Sequence, residues 1–307
     1  MELRKFLLLL AAAIVILLLI VAWFSPSVVD FRTDNPSWNG LQDIAVSYPI
    51  LPLESLSELP AAPSGSTLII VPYLDFTAEE FMQLDNFVTD GGTLILADDY
   101  GYGNHVLEYL GLDVRFTGQT LLDPLSNYKN SWFPKITYFN NPGPIAANIQ
   151  SLVLNHATGL TNVTMENIMA QSSRFSYLDS NNNQIRDEDE TTGPLPVISH
   201  HSLGKGKVIV IADSSIFINS MRAIADNDIL LQYIGTLTPI NLFFDQSHLP
   251  PSNLSKTKDI LVRIHDFLVT PSGTIGLVIL TLTVVLIPVW HQRSALSKGD
   301  NNGQKNE

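Results

Sequence analysis

Residues Thr67–Gly101 read TLIIVPYLDFTAEEFMQLDNFVTDGGTLILADDYG, and this stretch decides the fold. Leu68–Val71 is an unbroken apolar run too short for a helix, and Thr93–Ala97 repeats it, so both read as strands buried on both faces. Between them Thr77 and Glu80 make a capping box. Phe81, Leu84, Phe87 and Val88 follow at spacings of three and four, and Gly91-Gly92 ends the helix. A crossover helix between two doubly buried strands makes them parallel neighbours, and ligands of such sheets sit beyond the strands' carboxyl ends. Those ends carry Tyr73-Leu74-Asp75 and Asp98-Asp99-Tyr100.

Outward from this unit, Leu41–Val46 is expected to be a short helix, and the proline-rich segment 49–63 an extended connection. Asn104–Leu110 reads as a helix closed by Gly111. Residues 118–148 lack periodicity. Ile168–Gln171 is a strand, and Leu195–Ser199 with Lys207–Ala212 across Gly204-Lys205-Gly206 forms a hairpin whose second strand ends in Asp213. A helix over Asn227–Gly235 precedes a last strand, Ile240–Phe244, followed by Asp245-Gln246-Ser247-His248. The expected fold class is α/β, a flavodoxin-like parallel sheet flanked by helices with one transmembrane helix at each end.

Two uncharged runs set the address. Phe6–Phe24 is long enough to span a hydrocarbon core of about 30 Å, lacks a small-x-small cleavage site and reads as an anchor. Gly273–Trp290 is the second run. Arg4 and Lys5 precede the first, and Arg293, Lys298 and Lys305 follow the second, so both termini are expected in the cytoplasm. The layout is then 1–5 cytoplasmic, 6–24 membrane, 25–271 an extracytoplasmic domain in a two-pass cell-membrane protein, 272–290 membrane and 291–307 a cytoplasmic tail. Residues 25–271 hold 12 of the 17 Lys+Arg and 27 of the 30 Asp+Glu, a formal charge of −15. That surface argues against nucleic acid and anionic lipid as partners and favours cations. The chain has no cysteine, which removes disulfides, thiolate metal sites and a Cys nucleophile.

Several groups could carry chemistry. Asp179, Asn181, Asn183, the carbonyl of Ile185, Asp187 and Glu190 fall at positions 1, 3, 5, 7, 9 and 12 of a calcium-loop schedule, making calcium the one implied cofactor. Gln184 stands where such loops carry Gly, at a cost of about 1 kcal/mol if the backbone is left-handed there. Asp75, Asp98, Asp99, Asp213, Asp245 and His248 gather at strand ends as ligand-binding candidates, though such residues also cap turns. No residue is assigned as catalytic. Ser214 and Ser215 lack a Gly-x-Ser-x-Gly turn, and adjacent His200-His201 point to opposite faces of a strand. Asn162-Val-Thr164 and Asn253-Leu-Ser255 are glycosylation sequons.

The strand, Thr-capped helix with Glu79-Glu80, Phe87-Val88 and Gly91-Gly92, then Gly204–Gly206, Asp213, Asp226-Asn227 and Asp245–His248, resembles the class I glutamine amidotransferase-like fold. More narrowly, it resembles uncharacterised prokaryotic membrane proteins that carry such a domain between two membrane helices. The likeness covers roughly residues 37–250 and implies an accessory subunit beside transporters or AAA-type ATPases. The Cys that amidotransferases need is missing. The leading expectation is therefore a membrane-anchored, non-enzymatic binding or scaffolding subunit that assembles with other membrane proteins. The alternatives are a hydrolase using Ser214 or Ser215, or metal with Asp245 and His248, and a sensor of calcium or a small ligand.

Overall fold

Ser66–Ile70 (here β2) and Thr93–Ala97 (β3) are strands with every residue buried, joined by the helix Ala78–Thr89 (α3). The capping box at its start is complete: the Glu80 N–H donates to Thr77 Oγ1, and the Thr77 N–H donates to Glu80 Oε2 at 2.8 Å. These features belong to a computed structural model that describes residues 3–140, 148–237, 240–283 and 286. Two compact units divide it, Pro26–Pro251 and the terminal segments.

In the first unit the further strands of the main sheet are Ile50–Leu53 (β1), Tyr138–Phe139 (β4), Ile168–Gln171 (β5), Pro196–Leu203 (β6), Gly206–Ile211 (β7) and Asn241–Asp245 (β8). Their order is β1-β8-β2-β3-β7-β6-β5-β4. The first five run parallel, in registers such as Thr67↔Thr93 and Val208↔Leu94. The last three add antiparallel strands along one side. This is a mixed α/β sheet whose five parallel strands, counted in chain order, run 1-5-2-3-4 rather than the 2-1-3-4-5 of flavodoxin. Short two-stranded ribbons, including Thr120–Leu122 with Tyr177–Asp179, decorate it.

Among the described residues, helices Gln42–Ser47 (α2), Asn104–Tyr109 (α4), Asn219–Arg222 (α5) and Asn227–Thr236 (α6) accompany α3 in the unit. The core joins Leu84, Phe87 and Val88 of α3 to Leu68, Ile70, Leu94 and Leu96 of the sheet, and Leu230, Leu231 and Ile234 of α6 also lie in it. At the β6–β7 turn, Gly204 has φ +57°, and a Cβ on Gly206 would lie 2.2 Å from the Gly92 carbonyl oxygen. The Gly-Lys-Gly spacing thus lets the hairpin turn sit against the end of α3.

In the terminal unit, Leu3–Phe24 (α1) is long and apolar enough to cross a membrane. The expectation of a membrane helix at each end is met only at this one among the described residues. Asn253–Val269 (α7) carries Lys256, Lys258, Arg263 and Asp266, and it meets the apolar helix 271–283 at a 90° bend. Pro271, with no N–H to continue the ladder, stands at that break. Most of the expected run after Thr283, and the basic tail, lie outside the described residues. The Trp23 and His265 rings lie 6.0 Å apart within this unit.

Candidate functional site

The parallel strands deliver four acids to one end of the sheet, and their surroundings separate them. Asp98, at the end of β3, is buried and receives the N–H of Tyr100 at 2.8 Å and of Gly103 at 2.7 Å. Asp213, after β7, is fully buried and accepts the N–H groups of Asn155 and Ser215, each at 2.8 Å. Burial pushes both carboxyls up, the nearby Asp99 charge adding to the effect at Asp213, while the backbone N–H groups pull the other way. Such bonds tie turns, so these two acids are chain fasteners.

Asp99 differs. It is only half-buried, and Ser214 Oγ donates to its Oδ1 at 3.0 Å. Burial chiefly, with the neighbouring Asp98 charge, pushes its carboxyl up to about 6, and the Ser214 bond offsets part of that rise. Tyr73, beyond β2, has its phenol pushed up by burial first and then by Asp99, Tyr100 and Asp30, with the Ser214 hydroxyl acting the other way. Tyr100 is pushed up chiefly by Asp99 and also by burial, Tyr102 and Asp30. Three adjacent parallel strands thus bring together Tyr73, Asp99 and Ser214, with Tyr100 beside them.

Asp245 and His248 are brought together too, after β8. His248 Nδ1 and Asp245 Oδ2 are 2.6 Å apart, and the other ring nitrogen faces Glu80 Oε1 at 3.7 Å. The imidazole stacks on Phe76 with centroids 3.7 Å apart. The His248 carbonyl accepts the N–H groups of Tyr73 and Leu74, each at 3.1 Å. Both residues are buried, and His248 braces the β2–α3 connection. Burial alone would raise the Glu80 carboxyl, but the Thr77 N–H and hydroxyl, then His248, bring it below its ordinary value. Asp75 is exposed at the start of that connection. On β6, His201 nitrogens lie 3.0 Å from Ser199 Oγ and 3.4 Å from Asn167 Nδ2, while His200 Nδ1 is buried with no hydrogen-bond partner among the described residues.

The loop after Tyr177–Asp179 folds on itself. Asp179 accepts the N–H groups of Asn183 and Gln184 at 3.1 and 2.9 Å, and Glu190 those of Ser180 and Asp187 at 2.8 and 3.1 Å. The amides of Asn181 and Asn183 both donate to Asp187 Oδ2, at 2.7 and 2.8 Å. Asn182 and Gln184 have φ of 59° and 62°, so the position where calcium loops carry Gly is indeed left-handed here. Ile185 is exposed, its N–H donating to Asn183 Oδ1 at 2.7 Å. Among the described residues, no three His, Asp or Glu side chains are grouped to hold a metal ion.

Hollows of about 530 Å³, beside Asp43, Arg222 and Asp228, and about 210 Å³, beside Leu56, Pro60 and Phe87, contain none of the strand-end acids. The candidate therefore rests on chemistry rather than on the size of a cleft. Sequence reading missed Tyr73, Tyr100, Tyr102, Asp30, Phe76 and Glu80 as site residues. The available signal was aromatic residues standing just past strand ends, where they cannot fill a strand's core face.

Among solved structures, the chain is similar to the mmIFT52 N-terminal domain at 14% identity over 68% of this chain and 96% of that one, with a TM-score of 0.51. At that identity the likeness speaks for fold alone. A beta-galactosidase from Bacillus circulans sp. alkalophilus matches at 15% identity over 56% of this chain and 22% of that one, TM-score 0.36. A ThuA-like protein from Bacteroides uniformis matches at 13% over 60% and 74%, TM-score 0.34. No curated protein matches the sequence. The resemblance to class I glutamine amidotransferase-like domains is corrected by these findings, since neither the matching family nor the mmIFT52 N-terminal domain indicates that group. The motifs behind it, a capped crossover helix and glycine turns, are demands of any parallel α/β sheet and so do not discriminate. The family model that matches, over residues 33–234, is described as "Domain of unknown function (DUF4350)", and the chain belongs to that family.

Proposed function

We propose that this chain is a membrane-anchored binding subunit whose α/β domain stands outside the cell and receives a ligand at the carboxyl ends of β2, β3 and β7. The observation that carries the reading is the Asp99 carboxylate. Among the described residues, Asp98 and Asp213 each hold two backbone N–H groups from other residues, whereas Asp99 has the Ser214 hydroxyl, helped by its own N–H, and a carboxyl pushed up to about 6. A half-buried carboxylate with less compensation is better used on a ligand than on the fold. Its neighbours Tyr73 and Ser214 offer hydroxyls that fix orientation. Arg4 and Lys5 stand in the first turn of α1, ahead of its apolar run, which supports a cytoplasmic N-terminus and an outer domain, and the exposed apolar side chains of α1 suit packing against other membrane helices. An accessory role beside a transporter or ATPase belongs to this reading.

A thermal-shift screen of a metabolite library on the full-length chain in micelles tests it. Compounds should raise the melting temperature of the wild type and not of Ser214→Ala. If every shift persists in Ser214→Ala, the site is elsewhere. Labelling of Ser214 by a fluorophosphonate probe would favour a hydrolase instead, although Ser214 Oγ donates to a carboxylate rather than to an imidazole.

A second reading, calcium binding at Asp179–Glu190, is favoured by the left-handed backbone at Gln184 and by Asn181, Asn183 and Asp187 converging. The sharp turn of calcium loops falls at the position of Gln184.

A further inference from the structure

The strand-end site continues into a run of aromatic rings. Buried Phe31 lies 5.8 Å from the Tyr73 ring, Tyr73 lies 6.3 Å from Tyr100, and Tyr100 lies 5.6 Å from Tyr102. Tyr73 and Tyr100 are tilted by 54° and form a corner, while Tyr100 and Tyr102 are nearly stacked. The two outer rings are 58% and 55% exposed, large for aromatics beside a strand end. Two carboxylates act on this corner from different elements: Asp99 of β3 and Asp30 of the segment before α2 both raise the Tyr73 and Tyr100 phenols. Asp30 accepts the Asn39 amide. Arg32, the nearest base in sequence, is engaged with Asp34 and Glu54.

Ring faces are the negative part of an aromatic quadrupole, so a corner of tyrosines beside two carboxylates attracts positive charge from every side. A neutral polyol would use the rings but leave the Asp99 charge uncompensated. An inorganic cation would prefer several hard oxygens to ring faces. We propose that this corner takes a small organic ammonium ion, primary or quaternary, lodged against Tyr73, Tyr100 and Tyr102 with Asp99 and Asp30 as its counter-charges. The inference rests on the strand ends being the binding site and names the class of ligand. The formal charge of −15 over residues 25–271 raises the local concentration of such cations and makes their capture sensitive to salt.

The probe is tetramethylammonium chloride, added at constant ionic strength to full-length chain labelled with ring-¹³C tyrosine in a non-ionic detergent free of choline headgroups. Tert-butanol is the neutral counterpart of similar size, and glucose the polyol. Tetramethylammonium should shift the Tyr73, Tyr100 and Tyr102 ring signals saturably and bind at least about fivefold more tightly than tert-butanol, as expected of cation–π contacts. Asp99→Asn should weaken it by roughly tenfold without unfolding the chain, and Tyr100→Ala by two- to fivefold. Below pH 6 affinity should fall with the ionised fraction of Asp99, whose facing titratable groups are Asp98, Asp213, Tyr73 and Tyr100. Equal binding of tetramethylammonium and tert-butanol, or no shift of these rings by tetramethylammonium, overturns the inference. A saturable glucose response at the same rings without one to tetramethylammonium also overturns the cation while leaving the binding site standing. Thermal shifts in the library screen that all persist in Ser214→Ala, by contrast, remove the binding site itself.

Discussion

Replacing Asp99 by Asn should make the folded protein more stable at neutral pH, against the usual direction for a site near the core. Its carboxyl rises from an ordinary 3.8 to about 6 on folding. At about 1.4 kcal/mol for each pH unit of difference, that is about 3 kcal/mol, and partial exposure of the side chain lowers the expectation to about 1–3 kcal/mol. The sign follows from proton counts. Below pH 3.8 both states carry the proton and nothing is lost. Between 3.8 and about 6 the folded state holds a proton that the unfolded state has released, so stability falls as pH rises, and above 6 the full penalty persists. Asn keeps a carbonyl oxygen for the Ser214 hydroxyl and removes the charge. The assay is the melting temperature of full-length wild type and variant in micelles from pH 4 to 7.5. For a domain of this size the variant should melt higher by about 3–10 °C at pH 7.5, the gap closing toward pH 4. A gap that does not change with pH, or a variant that melts lower at pH 7.5, refutes the reasoning.

The other expectations are simpler. Gly206→Ala puts a methyl 2.2 Å from the Gly92 carbonyl oxygen and 2.3 Å from that of Val88, so the turn must leave the end of α3; a loss of about 1–3 kcal/mol should appear in denaturant melts, and an unchanged midpoint contradicts it. Thr77→Ala removes the acceptor for the Glu80 N–H and should cost about 1 kcal/mol, read as a drop of roughly 2–4 °C in melting temperature. Calcium at ten times its dissociation constant should add about 1.4 kcal/mol to stability, an increment that Asp187→Ala abolishes. Asp187 is the residue to change because its side chain accepts only side-chain amides, whereas Asp179 and Glu190 also hold backbone N–H groups. Identical melting in chelator and in millimolar calcium leaves the loop a plain acidic turn.

Much of the fold was legible because its signals are local. The Thr77–Glu80 box, the runs Leu68–Val71 and Thr93–Ala97 and the Gly204–Gly206 turn each state a backbone requirement within a few residues, and each stands where expected. Strand order was not legible, since nothing local tells β8 to insert between β1 and β2 rather than extend the far edge. Asp226 shows the same limit. It precedes α6 as a cap should, but its carboxylate accepts the N–H groups of Gln150 and Ser151 instead, partners 75 residues or more away. At the strand ends, sequence singled out six candidates alike, and only three-dimensional neighbours distinguish Asp98, Asp213 and Asp245, held by their own turns, from Asp99. Tyr73 and Tyr100 stood at the strand ends in the sequence without being singled out, because only their neighbours from other strands show that the rings meet.

The account turns on Asp99 holding an under-compensated charge at the mouth of the sheet, and its titration is the direct measurement. In full-length chain labelled with carboxyl-¹³C aspartate, the resonance that disappears in Asp99→Asn should titrate near pH 6 and move back toward the ordinary carboxylate range when a bound ligand supplies positive charge. A resonance that titrates near pH 4, unmoved by every compound that stabilises the protein, would contradict the site and the function proposed for it.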